Sequence, residues 1–222
     1  MTKADLTTIL DADLEDWRPL VHSLHGRFRA GDFATGLQFV VDIGEAAEQA
    51  NHHPDVKLTY THVDIELTSH DTGAVTARDL ELARTISGLA ADRGLEADPR
   101  AVSRVEIALN AVDAVAIGPF WGAVLTGDAE SFDGEQVADP TGQLPLLWFQ
   151  PTDARDETPP MCFHLDVWIP AGQLPARIEA AVAAGGRVFD DSESPSFVVL
   201  EDAEGNKACL CTVMERDSRT SA

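Results

Sequence analysis

An α+β fold in two domains is what this chain predicts. Residues 1–98 form a four-stranded antiparallel sheet with helices on one face, and residues 99–222 form paired βαβββ modules. Three observations predict it. Apolar residues before residue 93 switch between periods of two and 3.6 in the order strand, strand, helix, strand, strand, helix. Residues 90–100 then interrupt the pattern with Gly94, Pro99 and mixed charge, the composition of a linker. Beyond them a strand and helix pattern occurs twice, a weak internal duplication.

Residues 17–21 and 24–30 read as a hairpin, after which Asp32 can cap a helix whose Phe33, Leu37, Val40 and Ala47 recur at helical spacing. That helix is expected to end near Asn51. From Lys57 the alternation returns, with Leu58 and Tyr60 at even positions but Val63, Ile65 and Leu67 at odd ones. A period of two cannot change parity without a turn or bulge, which places one between Tyr60 and Val63. Thr76 starts a second helix, with Asp79 in its first turn and Leu80, Leu82, Ala83, Ile86 and Leu89 on its apolar side. In the second domain, residues 103–109 read as a strand and 114–125 as a helix containing Phe120 and Trp121, stopped by Gly127. Residues 161–169 and 173–184 repeat that pair, stopped by Gly185 and Gly186. Further strands follow each helix: 136–138 and 144–150 in the first module, then 187–190, 197–200 and 207–213 in the second. Glu204-Gly205-Asn206 turns the last hairpin.

Composition excludes several functions. With 38 acidic against 16 basic side chains, the net charge of -22 repels phosphate backbones and anionic lipid, so neither nucleic acid nor a membrane surface is an expected partner. No stretch approaches the roughly 18 apolar residues of a membrane span. The first five residues lack a signal peptide's basic start and apolar run, and a cytoplasmic location is expected. Cys162, Cys209 and Cys211 are odd in number with no C-x-x-C pair, which reads as reduced, buried thiols.

The run Asn51-His52-His53-Pro54, followed by His70 and Asp79, carries the clearest chemistry. Imidazole serves as acid or base near neutral pH. A dehydration needs both, since an acid protonates the departing hydroxyl while a base takes a proton from the neighbouring atom. Each such group contributes roughly 10²- to 10⁴-fold in rate. Pro54 forces His53 out of helical geometry, and His70 lies between a strand and a Gly-containing turn. A solvated loop and a metal site of His52, His53, His70 and Asp79 are the alternatives, although adjacent histidines rarely point at one ion. His62 reads as a surface residue, and His22 and His25 fall in the early hairpin.

Residues 17–91 resemble the pterin-4a-carbinolamine dehydratase family. The resemblance rests on Phe28 and Phe33, Phe39, His52-His53-Pro54, Tyr60 and Val63, Ser69-His70 with Gly73, and Thr76 through Asp79. It implies that His52, His53, Pro54, Ser69 and His70 bind a pterin, and that Asp79 hydrogen-bonds one imidazole and orients its ring. It also implies that His52, His53, His70 and Asp79 perform a cofactor-free reaction, in which a 4a-hydroxytetrahydropterin loses water to give a quinonoid dihydropterin. A homodimer or higher oligomer is implied as well, and some members double as dimerisation cofactors of transcription factors. Asp55-Val56 departs from the family pattern, which often has an aromatic residue there.

Residues 102–213 resemble the vicinal-oxygen-chelate, or glyoxalase-like, superfamily, whose metal-dependent members place a ligand on the first strand of each module and one near each module's end. The matching positions hold Arg104 or Glu106, Gln150, His164, and Cys209 where Glu is common. An Arg guanidinium stays protonated and cannot ligate, so a metal-free domain is expected. His164 alternates with Cys162, Asp166 and Trp168, opposite a core-facing row of Met161, Phe163, Leu165, Val167 and Ile169. Trp148 and Gln150 share a parity, so Trp148, Gln150, His164 and Trp168 are expected to line an apolar pocket with a few polar groups. Cys209 and Cys211 share a strand face and suit either a metal or burial. Three functions compete: a dehydratase with an appended ligand-binding domain, a non-catalytic dimerising small-molecule-binding protein, and a metal-dependent glyoxalase-type enzyme.

Overall fold

Only Val21 and His22 separate β1 (Trp17–Leu20) from β2 (Ser23–Arg29), which pair from Trp17↔Gly26 to Leu20↔Ser23 in the computed structural model. So tight a reversal needs a positive φ, and Val21 adopts 55° despite its branched side chain. The structure describes residues 2–126, 129–152, 163–183, 187–201 and 207–214. Gly127, Met161, Cys162, Ala184, Gly185, Gly186, Glu204, Gly205 and Asn206, read above as parts of strands, stops and a turn, lie outside them. Two compact units emerge, one running to Ser103 and one over Arg104–Met214.

In the first unit, β3 (Asp55–Leu58) and β4 (His62–Leu67) form a second hairpin with Leu58↔Val63 as its last pair. The parity change falls in their turn, where the Thr59 N–H donates to the His62 carbonyl at 2.8 Å. β4 pairs with β2 from Leu24↔Leu67 to Arg29↔His62, giving the order β1-β2-β4-β3. One short strand was not expected: β5 (Glu96–Ala97) continues the β1 edge of β2 through Phe28↔Ala97. Residues 90–100 are therefore not a bare linker, since the Asp98 N–H also donates to Arg27 and its carboxylate pairs with Arg29 at 2.8 Å. The short α1 (Leu6–Leu10), capped by Asp5, was not expected either.

Trp17, Leu24, Phe28, Val63, Ile65 and Leu67 are buried under α2 (Phe33–Ala50) and α3 (Ala77–Asp92). Asp32 caps α2 by accepting from the Thr35 N–H at 2.8 Å, and Asn51 ends it in the left-handed region at φ 47°. The buried side of α2 matches the expected one only in part, since Ala47 is buried and Val40 packs against the core. Gly36, Phe39, Ile43 and Ala47 face the sheet, while Phe33 and Leu37 are each 49% exposed. The reason is packing: Phe39 meets Phe28 edge-on at 5.4 Å, and Phe28 meets Trp17 in the same way at 6.0 Å. Gly36 supplies the clearance for that approach, since a Cβ there would come within 2.7 Å of Leu58.

The second unit runs β6 (Arg104–Ala111), α4 (Ala114–Thr126), β7 (Gln136–Val137), β8 (Leu147–Pro151), then β9 (Phe163–Trp168), α5 (Leu174–Ala183), β10 (Arg187–Asp190), β11 (Phe197–Glu201) and β12 (Lys207–Cys211). Its described strands form one sheet in the order β10-β11-β12-β9-β6-β8-β7. The duplication is visible in the pairing. β6 runs parallel to β8, β9 runs parallel to β12, and β6 and β9 meet antiparallel between the modules. Among the described residues the first module has two strands after its helix and the second has three.

Each module buries its own core. Leu109, Ala111, Leu147 and Phe149 pack with Ile117 and Trp121 of α4, and Ile169, Val198 and Leu210 pack with Leu174 and Ile178 of α5. Val105↔Val167 and Ile107↔Leu165 put the odd-numbered rows of β6 and β9 on one face. α4 and α5 pack on part of that face, but Val105 and Leu165 are 38% and 42% exposed there, so the row expected to face the core is only partly covered, while Glu106, Ala108, Asp166 and Trp168 on the other face, beside His164, are buried. Gly118 of α4 sits against the Phe132 ring, which meets Phe149 edge-on at 5.5 Å, and an added Cβ would run into that ring. Gly118→Ala is expected to destabilise this unit by about 1–3 kcal/mol through overpacking. Calorimetric melting checks this, and an unchanged transition would show that Phe132 can give way. Among the described residues, no helix is long and apolar enough to cross a membrane.

Candidate functional site

A buried carboxylate organises the first unit's histidine region. Asp79 is the third residue of α3, where its side chain closes a capping box with Thr76: Oδ2 accepts from the Thr76 N–H at 2.7 Å. The same oxygen accepts from the Ser69 hydroxyl at 2.7 Å, and the Thr76 hydroxyl lies 3.2 Å away. The other oxygen, Oδ1, is 2.8 Å from His52 Nε2. Asp79, Ser69 and Thr76 are all fully buried, and His52 is nearly so.

Local structure brings these groups together. Asn51 turns the chain at the end of α2, and the His52 N–H donates back to Ala47. Ser69 opens a tight loop in which the N–H groups of Thr72 and Gly73 both donate to its carbonyl, and Gly73 takes the positive φ that this requires. A carboxylate only accepts hydrogen bonds, so Nε2 is the His52 nitrogen that donates to Asp79.

The other expected site residues are placed differently. His53 is exposed, with Nε2 3.0 Å from Glu48 Oε1, and His70 is exposed on the loop after β4. Pro54 is half-buried. Ser69, expected to touch a ligand, instead has its hydroxyl committed to Asp79 and Thr76 at zero exposure, so it supports the carboxylate. Because His52 precedes His53 and Ser69 precedes His70, the Asp79 carboxylate ties together the two chain segments that carry all three imidazoles. The Thr76 hydroxyl was not singled out beforehand, although its signal was present in the Thr76-x-x-Asp79 spacing. His62 lies apart from this network, against the Thr61 hydroxyl at 2.7 Å.

On the Ala108 face of the second unit's sheet, Trp148 and His164 meet edge-on at 6.1 Å. Their strands flank β6, and they reach each other across Ala108, which pairs with both and is too small to separate them. Trp168 is buried, with its indole N–H donating to Glu106 Oε2 at 2.7 Å. Gln150, expected beside Trp148 and His164, has its amide against the Pro151 carbonyl at 3.5 Å. His164 Nδ1 lies 3.7 Å from Cys209 Sγ and 3.4 Å from Asp166 Oδ1.

Residues 1–89 match the family described as pterin 4 alpha carbinolamine dehydratase. A relative in Thermosynechococcus vestitus, named "putative pterin-4-alpha-carbinolamine dehydratase", is 38% identical over 90 residues, which is 40% of this chain and 94% of that protein. The chain belongs to the pterin-4a-carbinolamine dehydratase family. A Koribacter versatilis relative of the same name is 37% identical over 83 residues, 37% of this chain and 87% of its own. A solved Brucella melitensis structure, titled a transcriptional coactivator/pterin dehydratase, is similar at 26% identity and a TM-score of 0.39, covering 40% of this chain and 99% of that one. Residues 106–211 match a glyoxalase-like domain, so the dehydratase-family domain is fused to a glyoxalase-like one. In the dehydratase-family domain, the buried Asp79 fixes one imidazole, and the two exposed imidazoles sit on the chain segments it joins.

Proposed function

We propose that the first unit is a 4a-hydroxytetrahydropterin dehydratase. The observation that carries this reading is the Asp79 carboxylate, which holds the His52 ring at 2.8 Å and anchors the segments bearing His53 and His70. In the reaction an acid gives a proton to the 4a-hydroxyl, the carbon–oxygen bond breaks, and water leaves. A base takes a proton from the neighbouring atom, and the products are a quinonoid dihydropterin and water. One imidazole gives a proton and another receives one, so exchange with solvent restores both and the cycle consumes no cofactor. Asp79 holds His52 through Nε2, and His53 and His70 are exposed, so their protons can exchange with solvent. In the second unit, the face with Trp148 and His164 is read as a small-molecule site.

The deciding assay generates the carbinolamine with an aromatic amino acid hydroxylase and follows its ultraviolet decay with and without this protein. Acceleration is expected, and none in a folded sample overturns the proposal. His53→Ala and His70→Ala are each expected to lower the rate at least about tenfold, within the range of a lost acid or base. Both residues are exposed, so their melting temperatures should match that of the parent. Normal turnover with a large loss of stability would instead make them structural.

A further inference from the structure

Resting on the dehydratase reading, we infer that Arg78 is a positioning residue for the dehydration, holding through Asp71 the loop that presents His70. His70 lies between two anchored neighbours. On one side Ser69 gives its hydroxyl to Asp79 Oδ2 at 2.7 Å, and on the other Asp71 Oδ1 accepts from Arg78 Nη2. Arg78 and Asp79 are consecutive residues in the first turn of α3, so one helical turn grips the chain immediately before and immediately after the imidazole.

The loop's own bonds fix its base. Ser69 and Ala74 form an antiparallel bridge, the Thr72 and Gly73 N–H groups donate to the Ser69 carbonyl at 3.0 and 2.9 Å, and the Thr72 hydroxyl reaches the Ser69 and Ala74 carbonyls at 3.1 and 3.2 Å. None of these bonds involves His70 or Asp71, so Arg78 supplies the link from the tip to a helix. The hydrogen bond from Arg78 holds the Asp71 carboxyl below its ordinary range, which keeps the pair charged on both sides at neutral pH. His53 has a carboxylate of its own, Glu48, at 3.0 Å. His70 has no such partner among the described residues, and its placement comes from the backbone on either side.

An ordinary surface ion pair is the rival reading, and two features of Arg78 argue against it. Arg78 is the second residue of α3, where the positive end of the helix disfavours a cation. Its Nε is buried without a hydrogen-bond partner, so the guanidinium sits in no pocket shaped to satisfy it. Both features are unfavourable in themselves, and what offsets them is the bond that the other end of the guanidinium makes to Asp71.

The test is a double-mutant cycle on the full chain in the carbinolamine assay, with amide hydrogen exchange measured on the same samples. Arg78→Gln and Asp71→Asn are each expected to lower kcat by about three- to tenfold through a displaced imidazole, with KM and melting temperature close to the parent's. Asp71 is exposed in its loop, so its Asn variant is the safer for folding, and Asp71→Glu, which keeps the carboxylate, should restore most of the rate. Because the effect runs through His70, Arg78→Gln should cost nothing further once His70 is Ala. Losses that multiply in that background, or an Arg78→Gln variant as fast as the parent, would overturn the inference. Exchange of the Thr72 and Gly73 amides needs no turnover and should quicken by about two- to fivefold in Arg78→Gln, the range open to a partly exposed ion pair. Unchanged exchange there overturns the clamp. A parent without dehydratase activity ends the dehydratase reading instead, and the exchange result then decides alone whether Arg78 holds the loop.

Discussion

Asp79→Ala is expected to lower the stability of the first unit by about 3–5 kcal/mol, the range for removing one partner of a buried, hydrogen-bonded charge. The carboxylate has no exposed surface and receives His52 Nε2–H, the Ser69 hydroxyl and the Thr76 N–H, with the Thr76 hydroxyl close by. Alanine leaves those donors buried without an acceptor, at about 1–3 kcal/mol for each unsatisfied group, and removes half of the capping box that starts α3. The losses share one atom group, so they do not add. Asp79→Asn should separate fold from chemistry. With its carbonyl oxygen toward Ser69 and Thr76, the amide presents N–H to His52, and Nε2 can accept only if the ring's proton moves to Nδ1. The Asn variant is therefore expected to unfold in urea near the parent's midpoint while losing most of its dehydratase rate. An Ala variant as stable as the parent would show that the network holds little of the fold.

Those hydrogen bonds were only partly legible in the sequence. Thr76 and Asp79 announced a helix start, but which histidine Asp79 would hold depended on how α2 and α3 pack, and no local pattern carries that. The turn between β3 and β4 was legible because a two-residue period makes a change of parity unambiguous. The buried side of α2 was not, since two stripes satisfy helical spacing. Of the expected Phe33, Leu37, Val40 and Ala47, only Val40 and Ala47 lie on the side that packs with Gly36, Phe39 and Ile43, because the sheet needed a glycine at its closest approach. β5 and α1 are too short to display a period at all. The nearness of Asp166 to Cys209 was likewise hidden, because the parallel register of β9 and β12 is set by the whole module.

His52→Gln is expected to reduce the dehydration rate by about 10²- to 10⁴-fold, the contribution of a positioned acid or base. Glutamine is chosen because its amide nitrogen can take the place of Nε2 and donate to Asp79 Oδ1, now 2.8 Å from the ring. The buried hydrogen bond then survives, and what disappears is Nδ1, the ring nitrogen left to exchange a proton. Alanine would confound the two by opening a cavity and leaving the carboxylate short of a donor. Rates from the carbinolamine assay, set beside calorimetric melting of the same sample, make the distinction. A slow enzyme with an unchanged transition places His52 in proton transfer, and a fast one reduces it to a strut between α2 and α3. The comparison with His53→Ala and His70→Ala then has a physical order: exposed imidazoles can be replaced in part by water, whereas a group held at 5% exposure cannot, so the His52 variant should show the deepest loss.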